Sequence, residues 1–301
     1  MFKNYLLIAW RHILKNKLYS SINILGLVVG LTVFFFGTLL SEYENTHDHF
    51  FKNAERIYTV GSIFAPHANI GLRSSSSAHT ALAPIIRTQL SGVESVARTI
   101  KREYLVSVGN NDFYEPIQFA DKEFLTIFDF DYIEGDNSAI DSPDGVLITE
   151  ATATKYFKGQ QALGQFITLD HDKDLRVAAV IKDLPKNTHF ISSLVSDGVF
   201  GIVAPLSVLN TPDNNAEDGN WNNLSLSNYT YVMTHTGVSK DTLQKKLDRI
   251  FVEHYPIEKN DFVSAFEVSS LNEANTFLWA TIGLPVIGTI RLLGLLVLIV
   301  A

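Results

Sequence analysis

Apolar and polar positions are sharply segregated along the 301 residues. Between Asn23 and Leu40 no residue is charged, and Ile22 and Ser41 extend this run to the ~20 residues that carry a helix across ~30 Å of hydrocarbon. The run predicts a transmembrane helix over 21–41. Residues 1–20, "MFKNYLLIAWRHILKNKLYS", place Tyr5, Leu6, Ile8, Ala9 and Ile13, with the basic Lys3, Arg11, Lys15 and Lys17, at roughly helical spacing. That spacing suits an amphipathic helix in the cytoplasmic interface, and equally a basic flank that only orients the helix after it.

From Glu42 onward, short β-rich runs alternate with a few helical patterns, predicting an α+β, mixed α/β domain over 42–276. Strands are expected in "RIYTVGSIF" (56–64), "VARTIKREYLVSVG" (96–109), "EPIQFAD", "GVLIT", "FITL", "LRVAAVIKDLP" (ended by Pro185), "NYTYVMTH" and "DFVSAFEVSSL". Residues 79–90 read as a helix capped at His79 or Thr80, with Leu82, Ile85, Ile86 and Leu90 on one side. Asp121 is expected to cap a short helix turning Phe124, Leu125 and Phe128 inward, Thr149 and Glu150 to start another, and 241–255 to form an amphipathic third. Residues 208–223, rich in Asn and Asp, read as a surface loop. The closing "LLGLLVLIVA" is too short to span a bilayer, so 277–301 reads as a connector and the truncated start of a second membrane helix near Arg291.

The first apolar run exceeds the usual h-region of a signal peptide, follows about twenty residues that include Arg11, Lys15 and Lys17, and precedes no small-x-small cleavage site. It therefore reads as a retained anchor. Basic residues lie before it, and Glu42, Glu44 and Asp48 lie after it, so the N-terminus is expected in the cytoplasm and the domain outside. A net charge of −8 argues against a nucleic-acid partner. Zero cysteines fit an exported compartment only weakly.

Catalytic signatures are missing from the sequence. There is no G-x-x-x-x-G-K-[ST], so ATP use falls to another chain, and neither G-x-S-x-G nor H-E-x-x-H occurs. His47, Asp48 and His49 are of metal-ligating type, but alternate residues beside a membrane exit read as a solvated turn. His67, His79, His171 and His189 are scattered, Ser74–Ser77 reads as a loop and capping element, and Phe124, Phe128 and Phe130 as core. The acidic stretch Asp213–Asp218 reads as solvated. No catalytic, cofactor-binding or metal residue is assigned.

A series of stretches, "NYLLIAWRHILKNKLYSSINILGLVVGL", "YENTHDHFFKNAERIYTV", "LAPIIRTQLSGVESVAR", "FADKEFLTIFDFDYIEGD", "GVLITEATATKYFKGQQALGQFITLD" and "VAAVIKDLPKNTHF", resembles in order the FtsX-like permease subunits with a MacB-like periplasmic core domain of bacterial ABC systems. The resemblance implies a non-enzymatic inner-membrane subunit with a cytoplasmic N-terminus, one membrane helix, a large periplasmic domain and three further helices. This chain departs from that pattern by ending in the second. It implies a cytoplasmic ABC ATPase subunit that uses the ATP, a homo- or heterodimer of permease subunits, a lipid membrane and a possible periplasmic adaptor, with no cofactor on this chain. Conformational change would pass from the ATPase to the periplasmic domain for export, extraction or signalling. Tyr5, Trp10, Arg11 and Lys15 are implied as ATPase-coupling residues. The alternative reading is a membrane-anchored periplasmic sensor or scaffold without ATP coupling.

Overall fold

The computed structural model describes residues 2–69, 71–191, 199–211, 219–258, 261–271 and 273. The described residues divide into two units, one within 2–45 and one from 46 onward. The second membrane helix expected near Arg291 and the acidic stretch 213–218 lie outside the described residues.

In the first unit, α1 (Phe2–Lys15) and α2 (Lys17–Asn45) are separated at Asn16. Lys17–Leu39 is the one stretch, among the described residues, long and apolar enough to cross a membrane. The helix is wider than the uncharged run because charge marks where hydrocarbon can be, whereas backbone hydrogen bonding sets where a helix ends. Its two threonine hydroxyls are satisfied internally: Thr32 Oγ1 donates to the Val28 carbonyl at 2.8 Å and Thr38 Oγ1 to that of Phe34 at 2.9 Å.

The second unit is built on one mixed sheet. Its strands are β1 (Ile57–Phe64), β2 (Ser74–Ser75), β3 (Val93–Val108), β4 (Asn111–Ala120), β5 (Tyr132–Glu134), β6 (Gly145–Thr149), β7 (Phe166–Leu169), β8 (Lys173–Ile181), β9 (Ile202–Pro205), β10 (Asn228–Thr234) and β11 (Val263–Ser270). The helices are α3 (Leu82–Gln89), α4 (Glu123–Phe128), α5 (Glu150–Phe157) and α6 (Lys240–His254). The strand order is β11-β1-β10-β3-β4-β9-β6-β8-β5, with β2 on β1 and β7 joining β3 to β8. β7 therefore closes β3, β4, β9, β6 and β8 into a ring of strands, leaving the β11-β1-β10 side open. The pairs β4–β9 and β6–β8 are parallel and the others antiparallel.

Alternation along the strands divides the core. In β10, Tyr231 and Met233 face one cluster and Val232 another; in β6, Leu147 and its neighbours Val146 and Ile148 separate the same way. Within the ring, Val106, Ile117, Phe119, Ile148 and Ile202 pack with Tyr156 and Phe157 of α5. On the open side, α3 and α6 bury Leu82, Ile86, Leu243 and Leu247 against Tyr58, Val60 and Phe266. A third cluster is dense in aromatics and includes Phe51, Phe124, Phe128, Phe130, Phe190, Phe200 and Tyr231. The inward placement of Phe124, Leu125 and Phe128 agrees with the sequence reading.

The cap at Thr149 also agrees, its side chain accepting from the Thr152 N–H. Two other expected caps do not form. Asp121 instead takes both ends of a buried Arg98 guanidinium, from Nε to Oδ2 and from Nη2 to Oδ1, each at 2.9 Å, and Lys122 occupies the N-cap of α4 without a side-chain bond. A bidentate pairing with a buried cation outweighs one capping bond. Ala81 is the N-cap of α3, because Thr80 is engaged elsewhere: its hydroxyl bonds Asn220, donating to the carbonyl at 3.3 Å and accepting from the N–H at 2.9 Å. The loop expected over 208–223 begins differently, since Val208 and Leu209 end a buried 3-10 turn over Leu206–Leu209.

Candidate functional site

The second unit connects to the rest of the chain at one end of its sheet. Tyr58 near the start of β1 pairs with Ser270 at the end of β11, so the residues that lead in from α2 and those that lead out lie side by side.

Asp48 is the pivot of the incoming segment. It adopts a left-handed backbone conformation (φ 62°), which short polar side chains tolerate better than most, and its side chain is fully buried. Its N–H donates to the Asn187 carbonyl at 3.0 Å, and Asn187 Nδ2 donates back to the Thr46 carbonyl at 3.1 Å. The carboxylate accepts from the Thr188 hydroxyl at 2.7 Å and from the His189 N–H at 3.2 Å, and pairs with His189 Nδ1 at 2.9 Å. The far ring nitrogen of His189, Nε2, lies 2.9 Å from the Tyr231 hydroxyl on β10. A chain of polar contacts thus runs from the connection to a central strand. Burial pushes the Asp48 carboxyl up, but the charge and hydrogen bonds of His189 with the Thr188 hydroxyl outweigh it, and the net direction is below the ordinary value. Burial pushes the Tyr231 phenol well up.

The Asp–His–hydroxyl sequence resembles a proton relay, and its surroundings decide against that use. Asp48, His189 and Tyr231 are 0%, 6% and 1% exposed, and rings of Phe51, Phe128 and Phe190 close over them. No reacting group can reach the hydroxyl. The arrangement is a latch. A second clamp lies beside it: Arg56 Nη1 contacts Glu94 Oε2 at 2.6 Å and the Thr234 carbonyl at 2.8 Å, while Nη2 donates to Asn53 Oδ1 at 2.8 Å.

The solvated turn expected at His47–His49 is therefore corrected. His47 and Asp48 are buried and only His49 is exposed, because Asp48 finds buried hydrogen-bond donors in Thr188 and His189, the latter 141 positions away. No group of three or more His, Cys, Asp or Glu that could hold a metal occurs among the described residues. Nothing near His189 in sequence marks its role.

Of the implied coupling residues, all four lie on α1 and are exposed, Tyr5 at 71% and Trp10 at 61%. At ~100° per residue, Arg11 and Lys15 share a face, within ~40° of each other, and Tyr5 and Trp10 flank it on opposite sides. The helix thus presents a basic stripe bordered by two aromatics.

The model of the MacB-like periplasmic core domain matches residues 20–250. The chain belongs to this family. A domain of a protein assigned as a permease, from Porphyromonas gingivalis, is similar in structure with a TM-score of 0.56 at 22% identity, covering 73% of this chain and 92% of that one. The periplasmic region of MacB from Actinobacillus actinomycetemcomitans is similar with a TM-score of 0.52 at 13% identity, covering 76% and 94%. At these identities the likeness is one of fold. Comparison with curated proteins gives no match. The mixed α/β domain behind an N-terminal apolar helix is thus a MacB-like periplasmic core fold, and the latch sits where that fold receives its membrane-side connection.

Proposed function

We propose that this chain is the non-ATPase permease subunit of a MacB/FtsX-type ABC assembly in a bacterial inner membrane. It carries no catalytic site of its own and works as a dimer with a cytoplasmic ABC ATPase. Residues 1–20 lie at the cytoplasmic face, 21–41 span the bilayer, 42–276 form the periplasmic domain and 277–301 lead back towards the membrane. ATP-driven movement of the membrane helices is transmitted to the domain for export, extraction or signalling. Tyr5, Trp10, Arg11 and Lys15 contact the ATPase.

One observation carries this reading. The incoming and outgoing connections meet on adjacent strands, and the incoming one is locked to β10 through Asp48, His189 and Tyr231. A flexible tether would absorb a movement of α2, whereas a buried, hydrogen-bonded latch passes it to the sheet. The chain has no cysteine, so a single label at Asn110, at the exposed turn between β3 and β4, reports on the domain alone. In dimers reconstituted with the ATPase, ATP is expected to shift the Asn110–Asn110 distance, and Trp10→Ala with Arg11→Ala to abolish both ATPase co-purification and the shift without unfolding the domain. A distance indifferent to ATP with the ATPase bound would refute transmission and favour a passive scaffold.

A further inference from the structure

Among the described residues the strand order ends at β5 on one side and β11 on the other, and these have three and eight residues. A long terminal strand offers a row of backbone donors and acceptors to any chain that can pair with it. β11 is not left open in this way. Gln244 of α6 lays its carboxamide against the strand: Nε2 donates to the Phe266 carbonyl at 2.9 Å, and Oε1 accepts from the Val268 N–H at 2.8 Å. Bonding the C=O of one residue and the N–H of the residue two further on is what a single residue of a parallel neighbouring strand does. A primary amide can do it because it carries the donor and acceptor of a peptide unit. The remaining Nε2 hydrogen goes to Asp248 Oδ1 at 2.7 Å, which fixes which end of the amide faces which strand atom. Further along, Glu273 accepts from the Ser270 N–H at 2.9 Å and is itself held by Lys240 at 2.5 Å.

We propose that β11 is a strand-pairing edge that Gln244 holds shut, and that the strand it excludes is β11 of a second copy of this chain. Two such edges brought together antiparallel about a two-fold axis are self-complementary, each supplying the donors the other needs. The strand itself does little to prevent this: "VSAFEVSS" has one charged residue, Glu267, and no proline. The protection therefore resides in α6. Only a side chain with both amide functions and the reach of glutamine supplies it. Glutamate would keep the bond to Val268 and set a negative oxygen against the Phe266 carbonyl.

The test uses the full chain in detergent micelles, with Ser264, exposed on β11, replaced by the only cysteine. Gln244→Ala, which raises helix propensity and so keeps α6 formed, is expected to speed amide exchange over 266–268 about tenfold and to permit cross-linking of Ser264→Cys between copies by a short bifunctional maleimide. Gln244→Glu, whose repulsion from the Phe266 carbonyl weakens the bond it keeps to Val268, is expected to speed exchange in the same direction but by less. The parent with Gln244 intact is expected to remain protected and uncrosslinked. Unchanged exchange in both variants would overturn the blocking role. Faster exchange without cross-linking would overturn the second copy as the excluded strand.

Discussion

Removing the Asp48 carboxylate tests the latch most directly. In Asp48→Gly the left-handed backbone costs nothing, so the loss is the side chain alone: His189 Nδ1, the Thr188 hydroxyl and the His189 N–H all lose their buried acceptor. Breaking one side of a buried ion pair costs ~3–5 kcal/mol. Asp48→Ala adds ~1–2 kcal/mol for a Cβ in the left-handed region. Asp48→Asn tolerates that region, keeps an acceptor and loses the charge, for an expected cost of ~1–3 kcal/mol. With ~2–4 °C of Tm per kcal/mol for a domain of this size, Asp48→Gly lowers Tm by about 6–20 °C, Ala by more and Asn by less. Near-UV circular dichroism of the full chain in micelles follows the transition, because the aromatic cluster of Phe51, Phe128, Phe190 and Tyr231 surrounds the site. The net pKa of Asp48 is lowered, so its stabilising contribution is fully present above the unfolded value of 3.8 and lost as pH falls through the lower folded value. Asp48→Asn should lack that acid limb. If Asp48→Gly melts within ~1 kcal/mol of the parent, the connection is not held by the carboxylate and the latch has no mechanical weight.

Two further outcomes follow from the packing. His79 is fully buried among Trp221, Tyr255 and Phe262, with neither ring nitrogen hydrogen-bonded among the described residues, and burial lowers its pKa from 6.5 to about 4. The unfolded chain binds the proton and the folded one refuses it, so stability rises with pH across that window by roughly 3 kcal/mol. In His79→Phe the rise over pH 4–6.5 should shrink by that amount in denaturant titrations, and an unchanged slope would place the titration elsewhere. Gly61 lies where β1 pairs with β11 and comes closest to β2, and a Cβ there would collide with the Ser75 carbonyl oxygen. Gly61→Ala should cost ~1–3 kcal/mol of unfolding free energy, and a neutral result would mean that β2 moves aside freely.

The sequence alone determined whatever depends on neighbours in the chain. The uncharged run after Lys17 marks a membrane-length helix because hydrocarbon tolerates nothing else of that length. The short β-rich runs "GVLIT" and "NYTYVMTH" mark strands because their residues favour extended backbone, and the Thr149 cap is legible because its bond spans three residues. The basic stripe on α1 is legible for the same reason. Tertiary structure decided the rest, since it turns on partners far apart in sequence. Asp121 reads locally as a cap, yet a buried Arg98 claims it; Asp48 reads as a solvated turn, yet Thr188 and His189 bury it. A carboxylate sheds water only where distant donors replace the lost hydration, and no local pattern records where those donors will be. The same holds for Gln244, which in sequence is one more polar residue on an amphipathic helix. Only the packing of α6 against β11 brings its amide to the backbone atoms it satisfies.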